Sequence, residues 1–156
     1  MGIRVHHTSF VIERDLPGSP RHAFRFWSEH ERKRQWTNCH PDWTVQVDSF
    51  DFRIDGSERL RWRTPDGVDF GLRAHYFDIV PGQRIIYGYA MNAGPEPISS
   101  SLVTVEFESH GKNTRMTYTE QAAFADATDA ATRSSGTGVG FDRLILAIEQ
   151  SLVVSH

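Results

Sequence analysis

Residues 43 to 122 contain successive segments in which apolar and polar side chains alternate, and this alternation is the feature that most constrains the fold. In "SERLRWRT", Leu60 and Trp62 fall on one face while Arg59, Arg61 and Arg63 fall on the other. A period of two residues is typical of a strand with one buried face. Short turn sequences such as "IDG", "PDG" and "PGQ" separate the segments, so we expect neighbouring strands to be antiparallel.

Seven segments are predicted to be strands on this pattern. They are "RVHHTSFVIER", "WTVQVDSFDF", "SERLRWRT", "VDFGLRAHYFDIV", "RIIYGYAM", "SLVTVEFESH" and "NTRMTYTEQA". We expect residues 92–99, "NAGPEPIS", to form a loop, because proline has no N–H to donate to a strand ladder.

Two short helices are predicted between the first and second strands. Ser19 followed by Pro20 is an N-cap residue followed by proline at the first helical position, so a helix should run from Pro20 to about Trp27. Ser28 and Glu31 have the spacing of a capping box, which predicts a second helix that ends at Trp36.

A longer helix is predicted at the C-terminal end. In "VGFDRLILAIEQSLV", apolar residues recur at helical spacing and form a wide apolar stripe. The preceding segment, "DATDAATRSSGTG", is expected to be a loop with at most one helical turn, and Thr137 is a candidate N-cap for the helix.

This order of elements predicts the fold class. An antiparallel sheet of this length has to curl, and its apolar face needs a cover. The C-terminal helix is the only predicted element long enough to provide it. We therefore expect an α+β helix-grip fold: a curved antiparallel sheet of six to seven strands wrapped around a long C-terminal helix, with two short helices after the first strand. The 156 residues fit a single domain, residues 1–156.

Several motifs resemble one known family along nearly the whole chain. They are "LPGSPRHAFRFWSEHERKRQW", "DFRIDGSERLRW", "YFDIVPGQRIIYGY", "SSLVTVEFESHGKNTRMTYTE" and "GFDRLILAIE". They resemble the bacterial relatives of the activator of heat-shock-protein-90 ATPase, in the START-like (birch-pollen-allergen-like) helix-grip superfamily. Asp55 stands where the family's Asp-x-Arg-x-Gly-Gly motif has its first glycine. The resemblance implies a cavity between sheet and helix that accepts an apolar or amphipathic small molecule, and it does not by itself imply a chaperone role.

Charge and hydropathy exclude several classes of partner. The net charge is −3, whereas nucleic-acid-binding proteins usually carry a basic surplus. The basic run Arg32, Lys33 and Arg34 has Glu29 and Glu31 beside it, so we expect a solvated helix face and no nucleic acid. The sequence contains no run of eighteen apolar residues, so we expect no membrane insertion. The N-terminal stretch lacks the apolar segment of a secretory signal, which indicates the cytoplasm.

The sequence also gives no sign of a metal site or a cofactor. His6 and His7 are adjacent on a predicted strand, so their rings point to opposite faces, and Cys39 and His40 are adjacent in a predicted loop. Cys39 is the one cysteine, which rules out an internal disulfide. The stretch "GTGVG" at residues 136–140 lacks the preceding parallel strand of a dinucleotide site, so we expect no nucleotide there.

Aromatic residues are numerous, with 10 Phe, 4 Trp and 4 Tyr, and they suggest a cavity lined by rings. Tyr and Trp also carry polar groups that need partners when buried, whereas a core built only for packing would use more Leu, Ile and Val. We predict that the ligand-binding residues are Trp36, Trp62, Tyr76, Tyr87, Tyr89, Tyr118, Glu120 and Phe141, with Trp36 and Phe141 at the mouth.

Three functions remain open at this point. The first is a module that binds a small hydrophobic or amphipathic molecule without catalysis. The second is an interaction protein with a chaperone or stress-response partner, which predicts an exposed apolar patch. The third is an enzyme of cyclase or hydrolase type that uses Glu120 as a base. The non-catalytic alternative is that Glu120 lies at the rim of the cavity and is paired with an arginine. A homodimer is compatible with each of the three.

Overall fold

The order of strands and helices follows the sequence pattern closely. A computed structural model of the chain describes residues 4–38, 40–125 and 128–154. The elements, in chain order, are β1 (His6–Leu16), α1 (Pro20–Ser28), α2 (His30–Thr37), β2 (Thr44–Phe50), β3 (Ser57–Arg63), β4 (Asp69–Val80), β5 (Arg84–Ala93), β6 (Glu96–His110), β7 (Asn113–Phe124) and α3 (Ala130–Val154). Cys39 lies outside the described residues, as do residues 126 and 127 of the predicted loop before the last helix.

The seven strands form one antiparallel sheet in the order β1-β7-β6-β5-β4-β3-β2. Strands β2 to β7 form a meander in which each strand pairs with the next along the chain. β1 returns to pair with β7 over its whole length, from His6 opposite Phe124 to Leu16 opposite Thr114. The curved sheet packs against the long helix α3, so the prediction of an α+β helix-grip fold is confirmed.

The two short helices begin close to where the sequence places them. The Ser19 side chain accepts a hydrogen bond from the backbone N–H of His22 (3.2 Å), and Pro20 occupies the first turn of α1. The predicted capping box of α2 is wrong by one residue. The N-cap of α2 is Glu29, whose carboxylate instead accepts hydrogen bonds from Arg25 and Arg32.

Two segments that were predicted to be loops belong to regular structure. β5 runs to Ala93 and β6 starts at Glu96, so most of residues 92–99 is strand. A register shift between Met91 and Asn92 places Pro97 opposite Asn92, and this irregularity accommodates a residue without an N–H. The turn between the strands is only Gly94 and Pro95.

The C-terminal helix starts at Ala130, nine residues before the predicted start at Val139. The predicted loop "RSSGTG" is therefore helical, and Thr137 is not an N-cap. Its hydroxyl donates to the backbone carbonyl of Arg133 (2.9 Å), four residues back. Threonine hydroxyls inside helices commonly form this hydrogen bond. The three glycines at 136, 138 and 140 lowered the apparent helix propensity of this stretch, but packing against the sheet outweighs that cost.

The turn between β2 and β3 explains the departure from the family motif at Asp55. Asp55 has φ +67°, and among the described residues it is the non-glycine residue in the left-handed region, where glycine is otherwise preferred. Gly56 follows, and a Cβ there would lie 2.2 Å from the backbone oxygen of Asp51. The chain thus tolerates replacement of the first glycine of the motif, because Asp is among the residues that adopt this conformation most readily, but not of the second.

The hydrophobic core lies between the inner face of the sheet and the helices. It includes Val103, Val105 and Met116 from the sheet, and Phe141 and Leu144 from α3. α1 adds Phe24, Phe26 and Trp27 at one end of this layer. Beside this layer, aromatic side chains that include Trp27 surround a pocket.

Candidate functional site

A pocket of about 490 Å³ is bordered by β3 to β7, α2 and the first half of α3. Nine aromatic side chains line it: Trp27, Trp36, Trp43, Trp62, Phe70, Tyr87, Tyr89, Tyr118 and Phe141. All four tryptophans of the chain are in this set. Alternation along the strands brings the sheet residues to one face, because Trp62, Phe70, Tyr87, Tyr89 and Tyr118 all point away from solvent toward the helices.

Six of the eight residues predicted from the sequence line this pocket: Trp36, Trp62, Tyr87, Tyr89, Tyr118 and Phe141. Trp36 and Phe141 are only 6% and 1% exposed, so they belong to the wall rather than to an open rim. Tyr76 and Glu120 do not line the pocket. Both are buried behind the wall, where their side chains take part in polar clusters.

The first polar cluster is centred on Glu58, which sequence reasoning missed. Its Oε1 accepts from Lys33 Nζ (2.7 Å) and from the Tyr76 hydroxyl (2.9 Å), and its Oε2 accepts from Arg34 Nη1 (2.7 Å). Arg34 also pairs with Asp48 at 2.9 Å. The prediction that Lys33 and Arg34 form a solvated helix face is therefore wrong, since their side chains are only 7% and 9% exposed.

Burial and charge set the pKa values in this cluster. Burial lowers the pKa of Lys33, although Glu58 opposes the shift. Burial alone would raise the pKa of Glu58, but the charges and hydrogen bonds of Lys33 and Arg34 outweigh it and hold the pKa below its usual range. The Lys33 ammonium also lies 5.3 Å from the ring centre of Phe50 and 5.8 Å from that of Trp27, within the range of cation–π attraction.

The second polar cluster is centred on Glu120, which is fully buried on β7. Its Oε1 accepts from the Tyr118 hydroxyl (2.6 Å). Its Oε2 accepts from the hydroxyls of Tyr89 (2.8 Å) and Ser101 (2.7 Å), and lies 3.3 Å from Arg133 Nη1. Glu120 is thus paired with an arginine, as the non-catalytic alternative predicted, but it lies in the interior and not at the rim.

The tyrosines near the two clusters are held in their neutral form. Burial is the largest cause that raises the pKa of each tyrosine in the chain, and neighbouring carboxylates or tyrosines reinforce it: Tyr76, Tyr87, Tyr89 and Tyr118. Their hydroxyls are therefore hydrogen-bond donors at neutral pH and not bases.

A different signal in the sequence could have identified the residues that were missed. Glu58 is two residues before Leu60, so strand alternation already places it on the inner face. Arg133 is two helical turns before Phe141 on the same side of α3. This shared side cannot be predicted if residues 126–138 are assigned to a loop. Of the described residues, no group of three or more His, Cys, Asp or Glu side chains could hold a metal ion.

A second cleft of similar volume opens on the opposite face of the sheet. Arg59, Arg61 and Arg73 line it together with Gly71 and Asn92. These three arginines are exposed, and the cleft lacks the aromatic wall of the first pocket. We therefore take the inner pocket as the candidate site.

Fold and pocket together define a helix-grip protein of the START-like class. Residues 17–150 match the family model "Activator of Hsp90 ATPase homolog 1-like protein". The chain therefore belongs to the Activator of Hsp90 ATPase homolog 1-like family. No protein with a curated description matches it.

Solved structures of similar proteins agree with this assignment. The chain is 43% identical to an uncharacterized protein from Rhizobium leguminosarum, with a TM-score of 0.88 over 94% of this chain and 97% of that one. It is 40% identical to a protein from Rhizobium loti, with a TM-score of 0.85 over 93% and 99% of the two chains. An AHSA1-like protein from Aeromonas hydrophila, at 16% identity, has a TM-score of 0.71 over 92% and 94%, and this likeness shows the fold alone. None of the helices in the described ranges is long and apolar enough to cross a membrane.

Proposed function

We propose that the protein binds a small hydrophobic or amphipathic molecule in the pocket between the sheet and α3, without catalysis of its own. The observation that carries this proposal is the wall of nine aromatic side chains around about 490 Å³. Ligand sites in proteins have volumes of roughly 300–1,000 Å³ and mostly apolar walls with a few fixed polar groups. We further propose that residues 1–156 act as one domain and work in the cytoplasm.

The polar clusters support binding because they hold the wall in one arrangement. Tyr89 and Tyr118 both line the pocket, and both donate to Glu120. Lys33 lines it and is held by Glu58. Side chains fixed in this way lose little further entropy when a ligand is bound, which favours affinity.

The same geometry gives no support to Glu120 as a catalytic base. Its two oxygens already accept four hydrogen bonds, and the side chain is not on the pocket surface. A base must reach the proton that it removes, directly or through one water. The proposal of a chaperone partner rests on the family name, which describes the family and not the activity of this chain.

Ligand titration tests the proposal directly. A panel of fatty acids, aromatic polyketides and sterols is added while tryptophan emission and the melting temperature are followed. Because every tryptophan lines the pocket, occupancy should change the emission. A ligand at a hundred times its Kd stabilises the fold by about 2.7 kcal/mol, which raises Tm by roughly 5–10 °C for a chain of this length.

A variant with a filled pocket provides the control. Ala74 lines the pocket from β4 and is 7% exposed, so Ala74→Phe places a ring inside it. Ala123 lies on β7 and faces away from the pocket, on the outer face of the sheet. Ala123→Phe makes the same replacement there and should leave binding intact. The proposal fails if no member of the panel changes Tm or emission in the wild type, or if Ala74→Phe responds as the wild type does.

A further inference from the structure

One charged side chain on the pocket wall, that of Arg143, has no opposite charge beside it. Arg143 lies on α3, is half-buried and lines the pocket. Its Nε donates to the backbone carbonyl of Trp36 at 3.2 Å. Within the described parts of the chain, no carboxylate forms an ion pair with its guanidinium, and neither Nη1 nor Nη2 donates to a protein acceptor.

The other charges of the wall are compensated inside the protein. Lys33 is paired with Glu58 at 2.7 Å. Arg133 lies 3.3 Å from Glu120, directly behind the wall. With histidine counted as neutral, Arg143 therefore leaves the pocket with one net positive charge among the described residues, beside the aromatic wall.

A structural role accounts for only part of the Arg143 side chain. Trp36 is in the last turn of α2, where carbonyl groups lack helical partners and attract cations. Nε alone fulfils that role. Gly140 lies one turn earlier on α3. A Cβ at this position would be 3.7 Å from Nη2 of Arg143, so the glycine leaves that nitrogen uncovered. The two terminal nitrogens of the guanidinium therefore stay open.

We propose that Arg143 binds the anionic head group of the ligand, so that the pocket takes amphipathic organic acids whose apolar body lies against the aromatic wall. A guanidinium is planar and presents two parallel N–H donors that match a carboxylate, sulfonate or phosphate oxygen pair. Because Trp36 supplies both the carbonyl that holds Arg143 and a ring of the wall, head group and apolar body meet at one place. This inference rests on the proposed function and adds the charge of the ligand to it.

Two dyes that differ by one sulfonate test the inference. Anilinonaphthalenesulfonate is an anion, and phenylnaphthylamine has the same aromatic skeleton without the charge. The wild type is expected to bind the sulfonate at least about tenfold more tightly, which is the scale of one charge-assisted hydrogen-bonded pair. Arg143→Gln should remove this preference and leave the Kd of the neutral dye within about twofold, because the aromatic side chains that contact the apolar part of the dye are unchanged.

Two further variants control for charge and for folding. Arg21→Gln removes the same charge from the exposed surface of α1 and should leave both Kd values unchanged. Arg143→Lys keeps the charge without the planar fork, so it should retain part of the preference and the fold even where Arg143→Gln does not.

The outcomes separate this inference from the proposed function. If both dyes bind the wild type equally, the charge inference is wrong and the proposed function stands. If the preference survives in Arg143→Gln, a different group selects the anion and the inference is overturned. Dye binding that persists in Ala74→Phe lies outside the pocket and also overturns it. If neither dye nor any member of the ligand panel binds, the proposed function fails as well.

Discussion

The replacement Glu58→Gln removes the negative charge that compensates two buried cations. The carboxylate accepts from Lys33 and Arg34 at 2.7 Å each, and all three side chains are less than a tenth exposed. Arg34 keeps Asp48 as a partner, but among the described residues Lys33 keeps the neutral hydroxyl of Tyr76 and no carboxylate. Removal of one partner from a buried ion pair costs about 3–5 kcal/mol. We expect a loss of this size in the free energy of unfolding.

Urea unfolding followed by tryptophan emission measures this loss. The matched control is Glu31→Gln, which removes the same charge from an exposed position on α2 and should change stability by no more than about 0.5 kcal/mol. The double variant Lys33→Met with Glu58→Gln should lose less than the sum of the single losses, by about 0.5–3 kcal/mol, because the two side chains interact directly. A loss below about 1 kcal/mol in Glu58→Gln would show that the cluster behaves like an exposed ion pair and would refute the reasoning.

The pH dependence of the same pair gives a second check. The pKa of Glu58 is lowered in the folded state, so its contribution to stability is complete above the unfolded pKa of about 4.3 and is lost as the pH falls through the folded pKa. The pKa of Lys33 is also lowered, so the unfolded chain binds more protons than the folded one up to about pH 10. The penalty of Glu58→Gln should therefore shrink as the pH rises and Lys33 loses its proton. If the loss of stability in Glu58→Gln stays the same as the pH rises toward about 10, the lowered pKa of Lys33 is contradicted.

Three further predictions follow from single features of the structure. Gly56→Ala places a Cβ 2.2 Å from the Asp51 oxygen and should destabilise the fold by at least about 2 kcal/mol in urea unfolding; a neutral result would show that the turn can relax. Gly136→Ala meets nothing within 4 Å on α3 and should stabilise the fold by about 0.5–1 kcal/mol in the same assay, whereas a loss would contradict the helical assignment of that position. All four tyrosines have raised pKa values, so tyrosinate absorbance should appear only together with the loss of circular dichroism above about pH 10, where stability falls by about 1.4 kcal/mol per pH unit for each tyrosine. A tyrosine that titrates while the dichroism is still native would refute the burial argument for that residue.

The two larger errors in the predicted elements involve residues whose local preference is overruled by packing. Pro97 reads as a loop residue, but a register shift in β6 lets a strand continue around it. The glycines of α3 read as a loop, but the helix gains its stability from its contact with the sheet and not from its own propensity. In both cases a neighbouring element supplies what the local sequence lacks, and a reading of one segment at a time cannot include that neighbour.

The sequence by itself determined the architecture of this protein, because strand alternation, turn residues and one amphipathic helix each act over a few neighbouring positions. It also placed Trp62, Tyr87, Tyr89 and Tyr118 on the inner face, since period-two alternation needs no knowledge of contacts. Only the tertiary structure decided which charges are buried. Lys33 and Glu58 are 25 residues apart and meet only once the fold brings α2 beside β3. Likewise, Arg143 reaches the carbonyl of Trp36 across 107 residues, and this contact orients the uncompensated cation of the pocket.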